Sequence, residues 1–494
     1  MLPGLLTVAA VLLSCGTAGA QPTYSIDFES PTISLPDFTA GIPITEGDIL
    51  GTHLLVGGPP PLIVITAGFF PPASPAGLGL PQYQQALGHA PGVQGAVEVN
   101  ALSYGMDVLI DANMPVTIAW TFSVDEWAIG LQPPVSTPPD LTSEGALGAM
   151  EASGDLFSYF VPGSMPPGPL PPFAAQPGSL NILDGDGIAP PGLVPLGLIE
   201  PNPPLLGPTP VGDNIDAVDL DTQSPNGGVF PVYFSLDSAH AVDLLEGFSG
   251  TSSAPINLAA SGADVLVTLV PGGPPAVYAP AAALGLDLTG PDTDDLDALI
   301  LHENGDGVFT APEEPYDWVG GATDMIFFSV RRGSAVIGMP DSFHQIPIEE
   351  GDVLFPFGGP GTPPGIWIAA ENLGLCTLRS CGSGPFGLHG DDLDALDVAA
   401  DCDGDAVPDS AEFLLGTSTD CNSNGVPDDC DIAGGALDCN SNGIPDSCDI
   451  DGGAPDCNSN GIPDECEIDC DSNGVPDDCD IAGGAPDCNS NGIP

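Results

Sequence analysis

Residues 328–396 spell, in order, Phe328-Ser329-Val330, Gly351-Asp352-Val353-Leu354, Pro363-Pro364-Gly365-Ile366-Trp367, Leu373-Gly374-Leu375 and Asp394-Ala395-Leu396. The order occurs three more times upstream. The aromatic-Ser step returns as Tyr24-Ser25-Ile26-Asp27, Phe122-Ser123-Val124-Asp125 and Phe234-Ser235-Leu236-Asp237. The acidic turn returns as Gly47-Asp48-Ile49-Leu50, Gly154-Asp155-Leu156-Phe157 and Asp264-Val265-Leu266. Pro274-Pro275-Ala276-Val277-Tyr278 repeats the Pro-Pro run, and Leu-Gly-Leu stands at 78–80, 196–198 and 284–286. The closing strand returns as Asn100-Ala101-Leu102, Asp216-Ala217-Val218 and Asp297-Ala298-Leu299. Serines 25, 123, 235 and 329 recur at intervals of about 100 residues, which marks four diverged copies of one unit.

Each copy consists of short β-type runs bounded by Gly, Pro, Asn and Asp, without sustained helical periodicity. The expected fold is an all-β repeat body over 22–398, with copies at about 22–104, 118–220, 230–300 and 325–398. It reads as a β-propeller with elaborated blades or, as the alternative, as tandem β-sandwiches. The copies lack Ser/Thr-rich linkers, which favours the propeller. The Pro-rich stretch 162–212 reads as a loop, because proline removes ladder donors.

Of 494 residues, 68 are Asp or Glu and 3 are basic, giving a formal charge of −65. The cations are Arg331, Arg332 and Arg379. Phosphate recognition needs clustered Lys and Arg, so nucleic acid is excluded as a partner. Anionic lipid is excluded on the same ground. Metal cations are the natural counterions. Leu5–Leu13 is too short an apolar run to span a bilayer, and Ala18-Gly19-Ala20 offers a small-x-small cleavage site before Gln21. Residues 1–20 therefore read as a signal peptide, although the segment lacks Lys and Arg, and the mature chain as secreted or cell-surface. A rival reading takes Leu12-Leu13-Ser14-Cys15 as a lipobox with Cys15 as the lipid anchor. No further stretch reads as a membrane insertion.

From Asp401 the pattern changes. Asp420-Cys421-Asn422-Ser423-Asn424-Gly425-Val426-Pro427-Asp428-Asp429-Cys430-Asp431 carries side-chain oxygens at positions 1, 3, 5, 9 and 12 and glycine at 6. That is the ligand grammar of a twelve-residue calcium loop. A hard Ca²⁺ ion takes six to eight oxygens at about 2.3–2.6 Å, and alternate side chains on a tightly curled loop point inward together. The ligands expected are Asp420, Asn422, Asn424, Asp428 and Asp431, with the carbonyl of Val426 at position 7. The set recurs as Asp438, Asn440, Asn442, Ile444, Asp446 and Asp449, then as Asp456, Asn458, Asn460, Ile462, Asp464 and Glu467. It recurs again as Asp469, Asp471, Asn473, Val475, Asp477 and Asp480. A more charged first loop holds Asp401, Asp403, Asp405, Val407, Asp409 and Glu412, with Ala406 in place of glycine. A last loop opens at Asp487, so the expectation is a chain cut inside a repeat. A solvated acidic tail would keep neither the common register nor the glycine.

The loops leave no room for flanking EF-hand helices. Over about 401–494 the chain resembles thrombospondin type 3 repeats and the related acidic repeats of exported bacterial proteins. Asp401 to Glu412, followed by Phe413-Leu414-Leu415-Gly416-Thr417, is closest to the bacterial kind. The resemblance implies a chain of little regular structure wrapped around rows of Ca²⁺, with disulfides joined sequentially. Cys402, Cys421, Cys430, Cys439, Cys448, Cys457, Cys466, Cys470, Cys479 and Cys488 stand at loop positions 2 and 11. Joining neighbours in order gives 402–421, 430–439, 448–457, 466–470 and 479–488, with Cys376–Cys381 beside them. Pairs within a loop, such as Cys421–Cys430, are the alternative. Export favours disulfides, and the array holds no histidine to support zinc.

No catalytic constellation stands out. His53, His89, His240, His302, His344 and His389 are scattered, and no nucleophile elbow or phosphate loop occurs. The acid pairs Glu313-Glu314 and Glu349-Glu350 are of a kind that serves glycosidases, but in so acidic a chain they read as surface residues. Asp184-Gly185-Asp186-Gly187 and Glu303-Asn304-Gly305-Asp306-Gly307 read as turns. The expected function is a non-catalytic, calcium-binding protein with an adhesive or envelope/matrix role, its partner an extracellular polysaccharide or a surface protein. The alternative is a secreted glycan-acting hydrolase.

Overall fold

Among the described residues, the recurring motifs form strands and turns in the order in which the sequence writes them. The computed structural model describes residues 258–312 (save 271), 322–380, 390–401 and most of 427–486; upstream it describes the strands and the turns beside them. Four largely antiparallel sheets of four or five strands result, and Gln84–Gln85 pairs with Ala128–Ile129 as a separate two-stranded ribbon. The fourth runs Leu296–His302, Met325–Val330, Val353–Phe355, Gly365–Ile368. The third runs Ile215–Leu220, Val232–Leu236, Val265–Thr268, Ala276–Ala279. The second runs Ala101–Ser103, Trp120–Ser123, Leu156–Tyr159, Leu180–Asp184, with Val194–Pro195 added in parallel. The first runs Ala395–Asp401, Gly19–Ser25, Ile49–Gly51, Leu62–Ile65.

Every sheet thus takes its first strand from the Asp/Asn-Ala end of one copy and the next strands from the copy that follows. For the first sheet that strand comes from the far end of the body, with Tyr24 opposite Leu396. Gly19 and Ala20, ahead of the expected cleavage site, also pair in this strand, and Gln21–Ser25 pair after it. One sheet per copy also differs from a sandwich, which needs two.

The acidic turns precede a register irregularity common to all four sheets. Register shifts fall at Ile49/Leu50, Leu156/Phe157, Val265/Leu266 and Val353/Leu354, directly after the turn aspartate. Asp264 accepts the Ser261 N–H at 2.9 Å with one oxygen and the Ala281 N–H at 2.6 Å with the other. Asp352 does the same for Glu349 at 2.9 Å and Ala370 at 3.0 Å. One carboxylate therefore closes a turn and caps a short helix, Ala281–Leu284 or Ala370–Leu373. Leu-Gly-Leu ends that helix: Gly285 and Gly374 sit at φ 83° and 88°, the left-handed C-cap that favours glycine.

Strands such as Met325–Val330 are buried on both faces, whereas the edge strand Ala276–Ala279 is largely exposed. Along Met325–Val330, Ile326, Phe328 and Val330 join a core with Tyr233 and Val265 of the third sheet. Met325 and Phe327, on the other face, join a core with Tyr24, Leu50 and Leu396 of the first. A further core holds Ala101 and Leu156 of the second sheet against Val218 and Phe234 of the third. Continuous apolar runs such as Met-Ile-Phe-Phe are what such two-sided burial requires.

The repeat serines link the sheets. Ser25 donates to the Val99 carbonyl at 2.6 Å, Ser123 to Ile215 at 2.9 Å, Ser235 to Leu296 at 2.9 Å and Ser329 to Leu393 at 2.8 Å. Each bond leaves one sheet for the start of the next sheet's first strand, and the last returns to the first sheet. Among the described residues, no helix is long and apolar enough to cross a membrane.

Candidate metal centres

Three array loops are described in enough detail to follow their ligands. In the loop at 438, one Asp438 oxygen accepts the Asn442 N–H at 3.1 Å and the other the Gly443 N–H at 3.0 Å. Gly443 stands at φ 82°, and its equivalents Gly461 and Gly474 at 84° and 87°. Glycine at position 6 therefore lets the chain turn over the position-1 carboxylate. Position 12 closes the ring. Asn442 approaches Asp449 at 3.0 Å and Asn440 does so at 3.1 Å, both through Nδ2. Around Glu467, Asn460 stands at 2.7 Å and Asn458 at 3.1 Å. Asn473 reaches Asp480 at 2.8 Å. In the loops at 438 and 456, positions 3 and 5 thus converge on the position-12 carboxylate, while position 1 holds the backbone N–H groups of positions 5 and 6.

Position 9 also closes the turn. Asp428, Asp446, Asp464 and Asp477 accept the position-2 N–H of Cys421, Cys439, Cys457 and Cys470 at 2.8–2.9 Å. Each begins a short helix: Asp428–Ala433, Asp446–Asp451, the 3₁₀ turn Asp464–Cys466, or Asp477–Gly483. A carboxylate there complements the helix N-terminus. Position 7 gives its N–H to position 5, at 2.7 Å from Ile444, 2.8 Å from Ile462 and 2.7 Å from Val475.

Two residues escaped the sequence reading. Glu465 accepts from Asn440 Nδ2 at 2.6 Å and Asp478 from Asn458 Nδ2 at 2.8 Å, so position 10 of one loop reaches position 3 of the loop before it. The acid at position 10 of three loops (Asp429, Glu465, Asp478) was the available signal. Asp403, Asp405, Val407, Asp409, Glu412, Asp420, Asn422, Asn424, Val426 and Asp471 lie outside the described residues, and Asp401 ends the body's last strand.

The same overlap corrects the disulfides. Cys421 pairs with Cys448, Cys439 with Cys466 and Cys457 with Cys479, at Cα separations of 5.9, 5.9 and 6.2 Å. Position 2 of each loop is joined to position 11 of the following one, and neither in-order neighbours nor cysteines of one loop pair there. The physical reason is the helix carrying position 11, which lies against the preceding loop. Cys376 and Cys430 are also disulfide-bonded; Cys15, Cys381, Cys402 and Cys488 lie outside the described residues. The clusters Cys421–Asp428–Cys448, Cys439–Asp446–Cys466 and Cys457–Asp464–Cys479 have metal-ligand spacing, but their sulfurs are committed to these bonds. The oxygen-only sets are the better candidates to hold an ion. Disulfides in series fit oxidising surroundings.

In the body, the acid pair Glu349-Glu350 is buried, each residue 5% exposed, and not on the surface as expected. Glu349 accepts the Leu378 N–H at 2.6 Å and the Arg379 N–H at 2.9 Å. Arg379 also holds Asp352 at 2.7 Å and Glu371 at 2.9 Å. Burial alone would raise Glu371, but hydrogen bonds from Arg379 and Thr377 hold it below the ordinary carboxylate range. Arg331 pairs with Asp237 at 2.7 Å and Arg332 with Asp27 at 2.8 Å. All three cations of the chain are therefore interior clamps. Glu313, Glu314 and residues 185–187 lie outside the described residues, and Glu303–Gly307 forms a hydrogen-bonded turn. No protein-family model, curated protein or solved structure matches the chain.

Proposed function

We propose that this is an exported, non-catalytic calcium-binding protein, secreted or held at the cell surface, in which a four-bladed β-propeller carries a calcium-stiffened C-terminal array. The observation that supports the calcium reading is the convergence of positions 3 and 5 on the position-12 carboxylate, beside a turn closed over position 1, in phase in the loops at 438 and 456. Asp438, Asn440, Asn442 and Asp449 supply hard oxygen donors and no sulfur or imidazole, the donor set that suits Ca²⁺. The bond from position 3 to the next loop's position 10 would couple neighbouring ions.

The propeller reading rests on each sheet sharing a core or a serine bond with its neighbours, and on the last strand of the body completing the first sheet. Such an arrangement leaves each sheet only a short outer edge. A rigid body on a metal-braced array suits an adhesive or envelope/matrix role, with an extracellular polysaccharide or a surface protein as partner. Limited proteolysis of the full chain tests the division of labour. Chelation should open 420–486 to cleavage while 258–401 stays protected; equal protection with and without calcium would contradict it.

A further inference from the structure

The strand motif Asp-Ala-aliphatic keeps its aspartate in three of four copies, and the structure shows where those carboxylates go. Asp216 and Asp297 fall at the register shifts Ile215/Ala217 and Leu296/Ala298, so each is bulged out of its ladder. Asp297 is 5% exposed, and its Oδ2 meets no hydrogen-bond donor among the described residues. Its electrostatic neighbours are Asp392, Asp394, Asp216 and Arg331. Asp237 is fully buried; one oxygen takes Arg331 and the other, Oδ2, meets no donor among the described residues. One carboxylate oxygen each from Asp216, Asp237 and Asp295 lie within 4.8 Å of one another. All three residues are buried.

Four buried carboxylates here face one guanidinium, that of Arg331, which is 2.7 Å from Asp237 and 3.9 Å from Asp295. With all four ionised, the surplus is three negative charges against one arginine, and buried charge at that density needs a counterion. One carboxylate oxygen from each of the three lies close enough to the others for a single ion to touch all of them, and an all-carboxylate set is the hard donor set that calcium takes. Nitrogen and sulfur donors, which zinc prefers, are absent from the group. We infer that the body holds a divalent cation of the calcium type at the start of its inner strands, bound by Asp216, Asp237 and Asp295 with Asp297 completing the shell. This ion is separate from those of the array and ties the third sheet, which supplies Asp216 and Asp237, to the fourth, which supplies Asp297.

Crystals of the full chain grown with Tb³⁺ in place of Ca²⁺ test this directly by anomalous diffraction. A peak bounded by Asp216, Asp237 and Asp295 is expected; no peak there, with the four aspartates sharing protons or waters instead, would overturn the site. In solution, bound calcium counted by mass spectrometry should fall by one equivalent in Asp216→Asn/Asp297→Asn. It should keep that equivalent in an array variant, Asp438→Asn/Asp456→Asn, so failure of this site and failure of the array are distinguishable. An unchanged count in a folded Asp216→Asn/Asp297→Asn chain would also overturn it, and if that variant does not fold the diffraction result decides.

Discussion

Ser329 has a buried hydroxyl and one buried partner, the Leu393 carbonyl on the neighbouring sheet, as do its three counterparts. Ser329→Ala leaves that carbonyl without a donor and should cost about 1–3 kcal/mol in urea unfolding; a change within error would mean the link carries no load. Asp392 tests the interior charge. Burial pushes it up most, Asp27 and Glu350 add to the rise, Arg332 opposes it, and the carboxyl ends at about 7. Unfolded, it would titrate near about 4. The folded chain therefore holds this proton through that window when the unfolded chain has lost it. The stabilisation is complete below about pH 4 and is lost as pH rises through about 7. In chelator, the melting temperature of the wild type should drop between pH 5 and 7.5 more steeply than that of Asp392→Asn; equal slopes would contradict the assignment. The recurring Ser, Gly and Asp were legible because each occurs in several copies. Their partners were not: a backbone carbonyl leaves no mark in a sequence, and Glu349 looked like a surface acid because nothing local announces Arg379 beside it.

At the scale of elements, the cysteine connections are the sharpest outcome. Regular spacing at positions 2 and 11 fits in-order pairing as well as the observed skip, because spacing does not say against which loop a short helix lies. A non-reduced digest should yield linked peptides for 421–448, 439–466 and 457–479; a 448–457 link would contradict the overlap. Cys439→Ser removes a cross-link spanning 27 residues, for which chain entropy alone gives about 3–4 kcal/mol. The position-9 carboxylates have a turn-closing part that the loop grammar does not announce, because a position-2 N–H takes one of their two oxygens. The strands, by contrast, were legible in order and type, since apolar runs bounded by Gly and Pro admit few other readings.

Across the whole molecule, sequence copies and sheets are offset by one strand, and this offset lets the end of the body pair with its beginning. No local pattern reveals that pairing. The molecule then has two parts, a β body whose sheets share buried cores and serine hydrogen bonds, and an acidic array joined by disulfides. The central claim is that the array's side chains converge on calcium. Calorimetric titration of the chelated full chain with Ca²⁺, beside Asp438→Asn/Asp456→Asn/Asp469→Asn, tests this most directly. The account predicts several equivalents bound by the wild type and about three fewer by the variant, one for each position-1 carboxylate removed. Equal heats and stoichiometry for the two proteins would contradict it.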